Sequence, residues 1–427
     1  MLATEVPPFT SLDARLLGAA RSDCELWFTP PMARVVLKPG HVRPVHTGHP
    51  WVFQQAVARI EGGALAGDEV GVFDPQGRFL GRGLYSPKSA IPVRLFTRAD
   101  RPIDGALFRE RFARAIELRR ELGLPASDTD AYRLIHGEGD GLPGLIVDVL
   151  GDVVSVQLNT VGVARREGLV YGAIEEALAP RAILDRTGEI AARIEGVAVG
   201  RGLVRGAPDV DALRFRERGF AYEVPITLGQ KTGYYLDQRT LRARVEALSE
   251  GRTVLDAYSF IGSFSMAAAR GGAERVVAVD ESALCAEVAA ETARRNGLAS
   301  SIEVRKADAH AALEHAANEG GYDLVLCDPP KLAPSRGKRD AALAAYRRLA
   351  RSACAATKPR GLLVISSCSG VVSHDELVRA LALGAREANL QALVLERHVQ
   401  APDHPVLAAF PEGLYLKSVI ARVEPLG

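Results

Sequence analysis

Apolar residues are spaced in three successive patterns along the chain. Over Ala33 to Thr97, short β-type runs (ARVVLK, GDEVGVFD, GRFLGRGLYS, AIPVRLFT) alternate with Gly and Pro turns, which predicts a small β barrel. Between Pro102 and Thr187 a helical stretch, ALFRERFARAIELRREL, precedes two strands, GLIVDVLG and DVVSVQLNT, joined by a Gly-Asp turn. A second helix follows around Arg165 to Leu178, so an α+β connecting domain is expected. From Thr253 onward TVLDAYS, RVVAVD, SIEVRKAD, YDLVLCDPP and GLLVISSC are each followed by a helical stretch, and LQALVLERHV and YLKSVIARV close the series. That alternation predicts an α/β fold, with an open, mostly parallel sheet of seven strands covered by helices on both faces. Ligands of such folds bind at the carboxyl ends of the strands.

A chain of 427 residues is too long for one compact core, so several domains are expected. We read an extension over 1–31, the barrel over 32–101, the connecting domain over 102–190 and the α/β domain over 191–427. No window holds the roughly 18 uninterrupted apolar residues of a membrane span, and the start lacks a basic run followed by an apolar core. A cytoplasmic protein with no membrane partner is the expectation. Five cysteines (Cys24, Cys285, Cys327, Cys354, Cys368) are scattered without CxxC pairs, which argues against a disulfide framework and against a structural metal. A functional cysteine here acts as a thiol.

Net charge is +1, which makes no global case for nucleic acid, but charge is unevenly spread. Met32 to Ile60 has no Asp or Glu while holding Arg34, Lys38, Arg43 and Arg59 with His41, His46 and His49. Lys331 to Arg351 sets seven basic residues, Lys338, Arg339 and Arg348 among them, against the single acid Asp340. Either run can be a solvated face. If they bind RNA, the candidates are Arg34, Lys38, Arg43, Lys338 and Arg339. Trp51, Phe53 and Tyr85 are either RNA-stacking aromatics or barrel core. HGEGDGLPG (His136 to Gly144) reads as a tight loop before it reads as a site.

Strand TVLDAYS runs into DAYSFIGSF (Asp256 to Phe264) and then a helix, placing a glycine turn at a helix amino terminus, where backbone N–H groups favour an anionic ligand. The next strand ends at Asp280, placed to bond ribose hydroxyls. A dinucleotide would fit these residues equally, since a strict GxGxxG is absent. Asp308 at a third strand end favours S-adenosylmethionine. In the competing reading each acid only caps the following helix.

Two further strand ends, Cys327-Asp328-Pro329-Pro330-Lys331 and Ser366-Ser367-Cys368-Ser369-Gly370, face the same cleft. Carbon 5 of a pyrimidine is barely nucleophilic, and a thiolate that adds to carbon 6 turns it into an enamine able to take a methyl group. Cys368, in a polar turn before a helix, is the expected nucleophile. Cys327, beside Asp328, stays open as the alternative. Asp328 either orients the base or accepts a proton, and Lys331 contacts phosphate or base.

Together these residues resemble the bacterial family of 23S ribosomal RNA cytosine carbon-5 methyltransferases that join a PUA domain to a Rossmann-like methyltransferase. The resemblance spans about Ala33 to Val423. It is carried by HPWVF, GRGLYSP and IPVRLFT in the barrel, GEGDGLPGLIVD in the centre, and GQKTGYYLDQR, CDPPK, SSCSG and DHPVLAAFPEGLYLK in the α/β part. It implies S-adenosylmethionine as cofactor, ribosomal RNA as partner, and Cys368, Asp328 and Lys331 as the chemical site. The cofactor pocket it implies comprises Gln230, Tyr235, Asp237, Asp256, Tyr258, Ser259, Phe260, Gly262, Ser263, Phe264, Asp280, Glu281, Asn296, Asp308, Ala309 and Asp328. A homodimer is compatible with it. Two departures stand out: Ser263 follows Gly262 where the family usually pairs glycines, and Arg348 and Ala350 mark a divergent helix after DPPK. A noncatalytic RNA-binding assembly factor and a small-molecule methyltransferase are the competing functions.

Overall fold

The computed structural model describes residues 32–228, 233–332 and 336–426. Gln230, Cys24 and the extension over 1–31 lie outside the described residues.

The first unit consists of β1 (Ala33–Leu37), β2 (Trp51–Val52), β3 (Val57–Glu61), β4 (Glu69–Phe73), β5 (Phe79–Tyr85) and β6 (Val93–Thr97), paired in the order β2-β6-β5-β4-β1-β3. Alternate residues Val35, Leu37, Val70, Val72, Val93 and Leu95 fill its core with Val45 and Val52, as the two-residue period of a strand demands. Leu84 and Phe96 instead join the core of the next unit. Gly162 permits that approach, because a Cβ there would lie 2.4 Å from the Leu84 Cβ.

The second unit is a sheet ordered β11-β10-β9-β8-β7, formed by β7 (Ala131–His136), β8 (Leu145–Leu150), β9 (Val153–Leu158), β10 (Ala182–Asp185) and β11 (Gly202–Gly206). Helix Gly105–Glu121 begins where the Asp104 side chain accepts a bond from the Leu107 N–H at 3.1 Å. It buries Leu107, Phe108 and Phe112 in this unit's core. β8 and β9 meet at the predicted Gly-Asp turn. Gly151 is required there twice over: φ is +65°, and a Cβ would lie 2.2 Å from the Arg214 carbonyl oxygen. That carbonyl belongs to a hairpin of β12 (Ala212–Glu217) and β13 (Phe220–Pro225), which the apolar spacing did not predict and which bridges to the third unit.

The third unit is the predicted seven-stranded sheet. β14 (Thr253–Asp256), β15 (Arg275–Asp280), β16 (Ile302–Lys306), β17 (Tyr322–Cys327), β18 (Thr357–Ser367), β19 (Leu390–His398) and β20 (Lys417–Pro425) are ordered β16-β15-β14-β17-β18-β20-β19. The first five run parallel, and β20 lies antiparallel between β18 and β19. Alternate residues of the near-continuous apolar runs are buried on the two faces, Val254, Val276 and Leu324 on one and Leu255, Val277 and Val325 on the other. Strand order reverses between β14 and β17, which opens a crevice at their carboxyl ends. Among the described residues no helix is long and apolar enough to cross a membrane.

Candidate active site

β14 ends at Asp256, and the chain then turns into helix Ser263–Arg270. Three bonds set the shape of this turn: Ser259 N–H to the Val279 carbonyl at 2.9 Å, Gly262 N–H to the Ser259 carbonyl at 2.8 Å, and Phe260 N–H to Asp280 Oδ2 at 2.9 Å. Phe260 has φ +50°, a left-handed conformation that costs a non-glycine residue on the order of 1 kcal/mol or more. The Asp280 bond holds it there. Asp280 also accepts from the Ser282 N–H through Oδ1 at 2.9 Å, so one carboxylate fixes two loops. Gly262 takes φ +79° at the helix start, and Ser263, in the place of a family glycine, lies buried against Tyr222 and Tyr234. Phe264 is also buried. Ser259 Oγ is buried with no hydrogen-bond partner among the described residues, which suits a polar ligand atom.

Asp256 sits beneath this loop, and its Oδ2 accepts from Ser265 Oγ at 2.7 Å. Burial pushes its carboxyl up to about 7 despite that bond, with the charges of Asp328 and Asp280 adding to the effect. An unfolded aspartate titrates near ~3.9, so the stability carried by the protonated form is fully present below about pH 4 and is lost as pH rises through 7. Asp256→Asn is therefore expected to match the wild type at pH 4 and to exceed it by about 2–4 kcal/mol at pH 8. Urea unfolding at the two pH values checks this.

The remaining expected pocket residues divide. Tyr258 is half-buried near Glu281 and Asp308. Asp308 is exposed and caps helix Ala309–Asn318 by accepting from the Ala311 N–H at 2.9 Å, while Ala309 is buried. Tyr235 packs edge-on against Phe260, ring centroids 5.1 Å apart, with Asp328 and Cys368 as electrical neighbours. It links the loop to the chemical turns. Asp237 is held by Tyr415, whose hydroxyl donates to Oδ2 at 2.5 Å. Asn296 needs correction. It ends helix Ala283–Arg295, roughly 20 Å along that helix from the strand ends, and its amide bonds both backbone groups of Ala221, each at 2.9 Å.

Asp328, directly after β17, accepts from Gln238 Nε2 at 2.9 Å. Cys368, just past β18, is partly exposed, and the adjacent strands pair Cys327 with Ile365. Cys285, Cys327 and Cys354 are buried, and burial raises all three thiol pKa values, that of Cys354 to about 12. Tyr346 stands beside Cys368, and Lys331 is exposed. The sequence reading missed Gln238, Ser265, Tyr346 and Lys417 at this site. For Lys417 a signal existed: a lysine stands at the start of a strand, just ahead of the apolar run Val419 to Ala421.

Beside the crevice the central unit and the catalytic unit interlock. Asp403 is buried and accepts from the Arg133 N–H (3.0 Å), Arg239 Nη1 (3.1 Å) and His404 Nδ1 (3.0 Å). Burial works to raise its pKa, but His404, Arg239 and the Arg133 N–H outweigh burial and hold the carboxyl below the usual carboxylate range. Arg119, equally buried, binds both oxygens of Asp140 at 2.5 and 2.8 Å and the Asp403 carbonyl at 2.8 Å. The HGEGDGLPG segment is thus a packed loop, with Gly139 so close to Pro405 that a Cβ would lie 1.9 Å from its carbonyl oxygen.

Among the basic candidates Lys38, Arg43 and Lys338 are exposed. Arg34 is less available, stacked over Phe73 at 4.1 Å and 3.8 Å from Glu61. Arg339 is paired with Glu376. Trp51 is half-buried and engaged within the protein: its Nε1 donates to Glu138 at 2.7 Å and its ring meets Phe410 at 4.6 Å, so it joins the first unit to the other two. Among the described residues no group of three His, Cys, Asp or Glu side chains is arranged to hold a metal ion.

Residues 35–98 match the PUA-like domain family, and residues 203–417 match the S-adenosylmethionine-dependent methyltransferase family. A solved chain from Streptococcus mutans, described as a SAM-dependent methyltransferase, shares the fold with TM-score 0.80 at 20% identity, over 92% of this chain and all of that one. A second solved methyltransferase, complexed with SAH, matches with the same figures. Fold and site together define an S-adenosylmethionine-dependent methyltransferase carrying a PUA-like domain. Curated relatives resolve it further. Ribosomal RNA large subunit methyltransferase I of Erwinia tasmaniensis is 35% identical over 393 residues, 91% of this chain and 99% of that protein. Its counterpart in Shewanella denitrificans is 36% identical over 394 residues, with the same coverage. The chain belongs to the ribosomal RNA large subunit methyltransferase I family.

Proposed function

We propose that this enzyme methylates carbon 5 of a cytosine in large-subunit (23S) ribosomal RNA, with Cys368 as the covalent nucleophile. The observation that carries the reading is the partly exposed Cys368 beside Asp328 at two adjoining strand ends, while the other described cysteines are sealed by burial. The relatives' names supply the ribosomal RNA.

The cofactor pocket fits the loop bearing the unpartnered Ser259 Oγ. Asp280 would take the ribose hydroxyls, the Tyr258–Asp308 side the adenine, and Tyr235 with Phe260 the wall. Bound there, S-adenosylmethionine supplies an electrophilic methyl group. Cys368 adds to carbon 6, forming a carbon–sulfur bond and passing an electron pair to carbon 5. Once carbon 5 is methylated, loss of its proton to a base lets the carbon–sulfur bond break and restores the thiolate. Asp328, oriented by Gln238, accepts from the cytosine amino group. Lys331 meets phosphate.

In this reading the first unit grips structured RNA by shape and phosphate contacts, the second, which reaches past residue 190 to include β11, couples it to the third, and the work is done in the cytoplasm. Phosphate contacts through Lys38, Arg43 and Lys338 make binding salt-dependent. Affinity for an rRNA fragment is expected to fall about tenfold or more between 50 and 200 mM salt. A flat response would contradict the assignment of these residues. The function itself is tested by mass-spectrometric mapping of rRNA from a deletion strain: one 5-methylcytosine should vanish and return with the wild-type gene. An unchanged 23S map would refute it.

A further inference from the structure

Lys417 is only 4% exposed, yet it forms no ion pair with a carboxylate among the described residues. A buried cation is costly unless something nearby offsets its charge. Its place in the fold is informative. Lys417 opens β20 and pairs across the sheet with Ser367, the last residue of β18 before Cys368. Its Nζ donates to the Ser369 carbonyl at 2.7 Å and to the Tyr415 carbonyl at 2.8 Å. Ser369 in turn donates its N–H to Ser367 Oγ at 3.3 Å. Cys368 is therefore bracketed, with the residue before it fixed in the sheet and the residue after it held by a lysine.

We propose that Lys417 is the positioning residue of the nucleophile, holding the Ser367–Gly370 turn and keeping a cation beside Cys368 that favours its thiolate. The inference rests on the reading of Cys368 as nucleophile. Cys368 gives its proton to solvent, and the ammonium keeps its three protons while facing the resulting anion. Around the pair stand Lys331 from the turn after β17, Asp328 and Tyr235, Tyr346 from helix Arg339–Ala355, and His374 from helix His374–Glu387. Burial lowers the Lys417 pKa to about 8, with Cys368 opposing and Lys331 reinforcing the shift, so the cation persists at neutral pH.

The test needs no RNA. Iodoacetamide alkylation of Cys368, followed by peptide mass spectrometry in the full-length protein, is measured from about pH 5.5 to 9.5 for wild type, Lys417→Met and Lys417→Arg. The Met variant is expected to shift the profile upward by about one unit, roughly tenfold slower labelling at pH 7. The Arg variant should stay within about threefold of wild type, which a purely steric role would not produce. Superimposable wild-type and Met profiles would overturn the proposal. Should the Met variant not fold, the wild type decides alone: Cys368 must label at lower pH in the folded chain than in urea, and coincident profiles overturn the proposal. Methylation persisting in Cys368→Ala would instead strike the nucleophile assignment, and it leaves the labelling result untouched.

Discussion

Methyl transfer by the Cys368→Ala protein is expected to fall by roughly 10⁴-fold or more, with S-adenosylmethionine affinity kept within about threefold. The split follows from where the groups sit. Cys368 lies past β18, whereas the loop and acids proposed to hold the cofactor follow β14, β15 and β16. Removing the sulfur leaves carbon 5 unactivated and leaves the Phe260–Asp280 bond that shapes the loop in place. No other described cysteine can substitute, because Cys285, Cys327 and Cys354 are each no more than 2% exposed. Calorimetry with the cofactor and a radiolabelled methyl assay on rRNA read the two quantities separately. Retained turnover would move the nucleophile elsewhere; loss of both quantities would mean that the substitution disturbs the fold.

Asp403→Ala is expected to destabilise the chain by about 3–5 kcal/mol, the usual cost of stranding the partner of a buried ion pair. Arg239 would keep Glu217 at 3.3 Å and the Ala131 carbonyl at 2.6 Å, but would lose its contact with Asp403. The Arg133 N–H would be left without an acceptor in the same dry junction. Because folding lowers the Asp403 pKa, its stabilising contribution is present above the unfolded value near ~3.9 and is lost as pH falls through the folded one. The deficit of the mutant should therefore be constant from about pH 5 to 8 and shrink as the solution is acidified below about 4. Guanidinium unfolding of both proteins across that range reads it. A deficit that grows in acid would contradict the ion-pair account.

Legibility in the sequence followed how each element is buried. β15 and β17 read plainly because both faces are covered and their runs, VVAV and LVLC, are continuous. β12 alternates buried Ala212, Leu213 and Phe215 with exposed Arg214 and Arg216, and so many charges in a short segment hide a strand. Among site residues, Asp256, Asp280 and Asp328 stand at strand ends that periodicity alone can find. Asp237 and Asn296 came from the family resemblance alone; the Asn296 amide is engaged by the backbone of Ala221, 75 residues away, while Asp237 accepts from Tyr415, 178 residues away. Gln238 and Lys417 were missed because their roles depend on contacts with residues far along the chain, Asp328 and Ser369, 90 and 48 positions away. Asp308 meets both descriptions made from sequence, since it ends the β16 segment and caps the next helix.

Cytosine chemistry through Cys368 is tested most directly with an rRNA fragment carrying 5-fluorocytidine. Fluorine at carbon 5 cannot leave as a proton does, so the carbon–sulfur bond formed by the nucleophile should persist after methyl transfer. The account predicts a denaturation-resistant protein–RNA adduct that requires S-adenosylmethionine, maps to the peptide containing Cys368 and is absent from Cys368→Ala. Efficient methylation of the unmodified fragment with no such adduct, or an adduct on another residue, would contradict it.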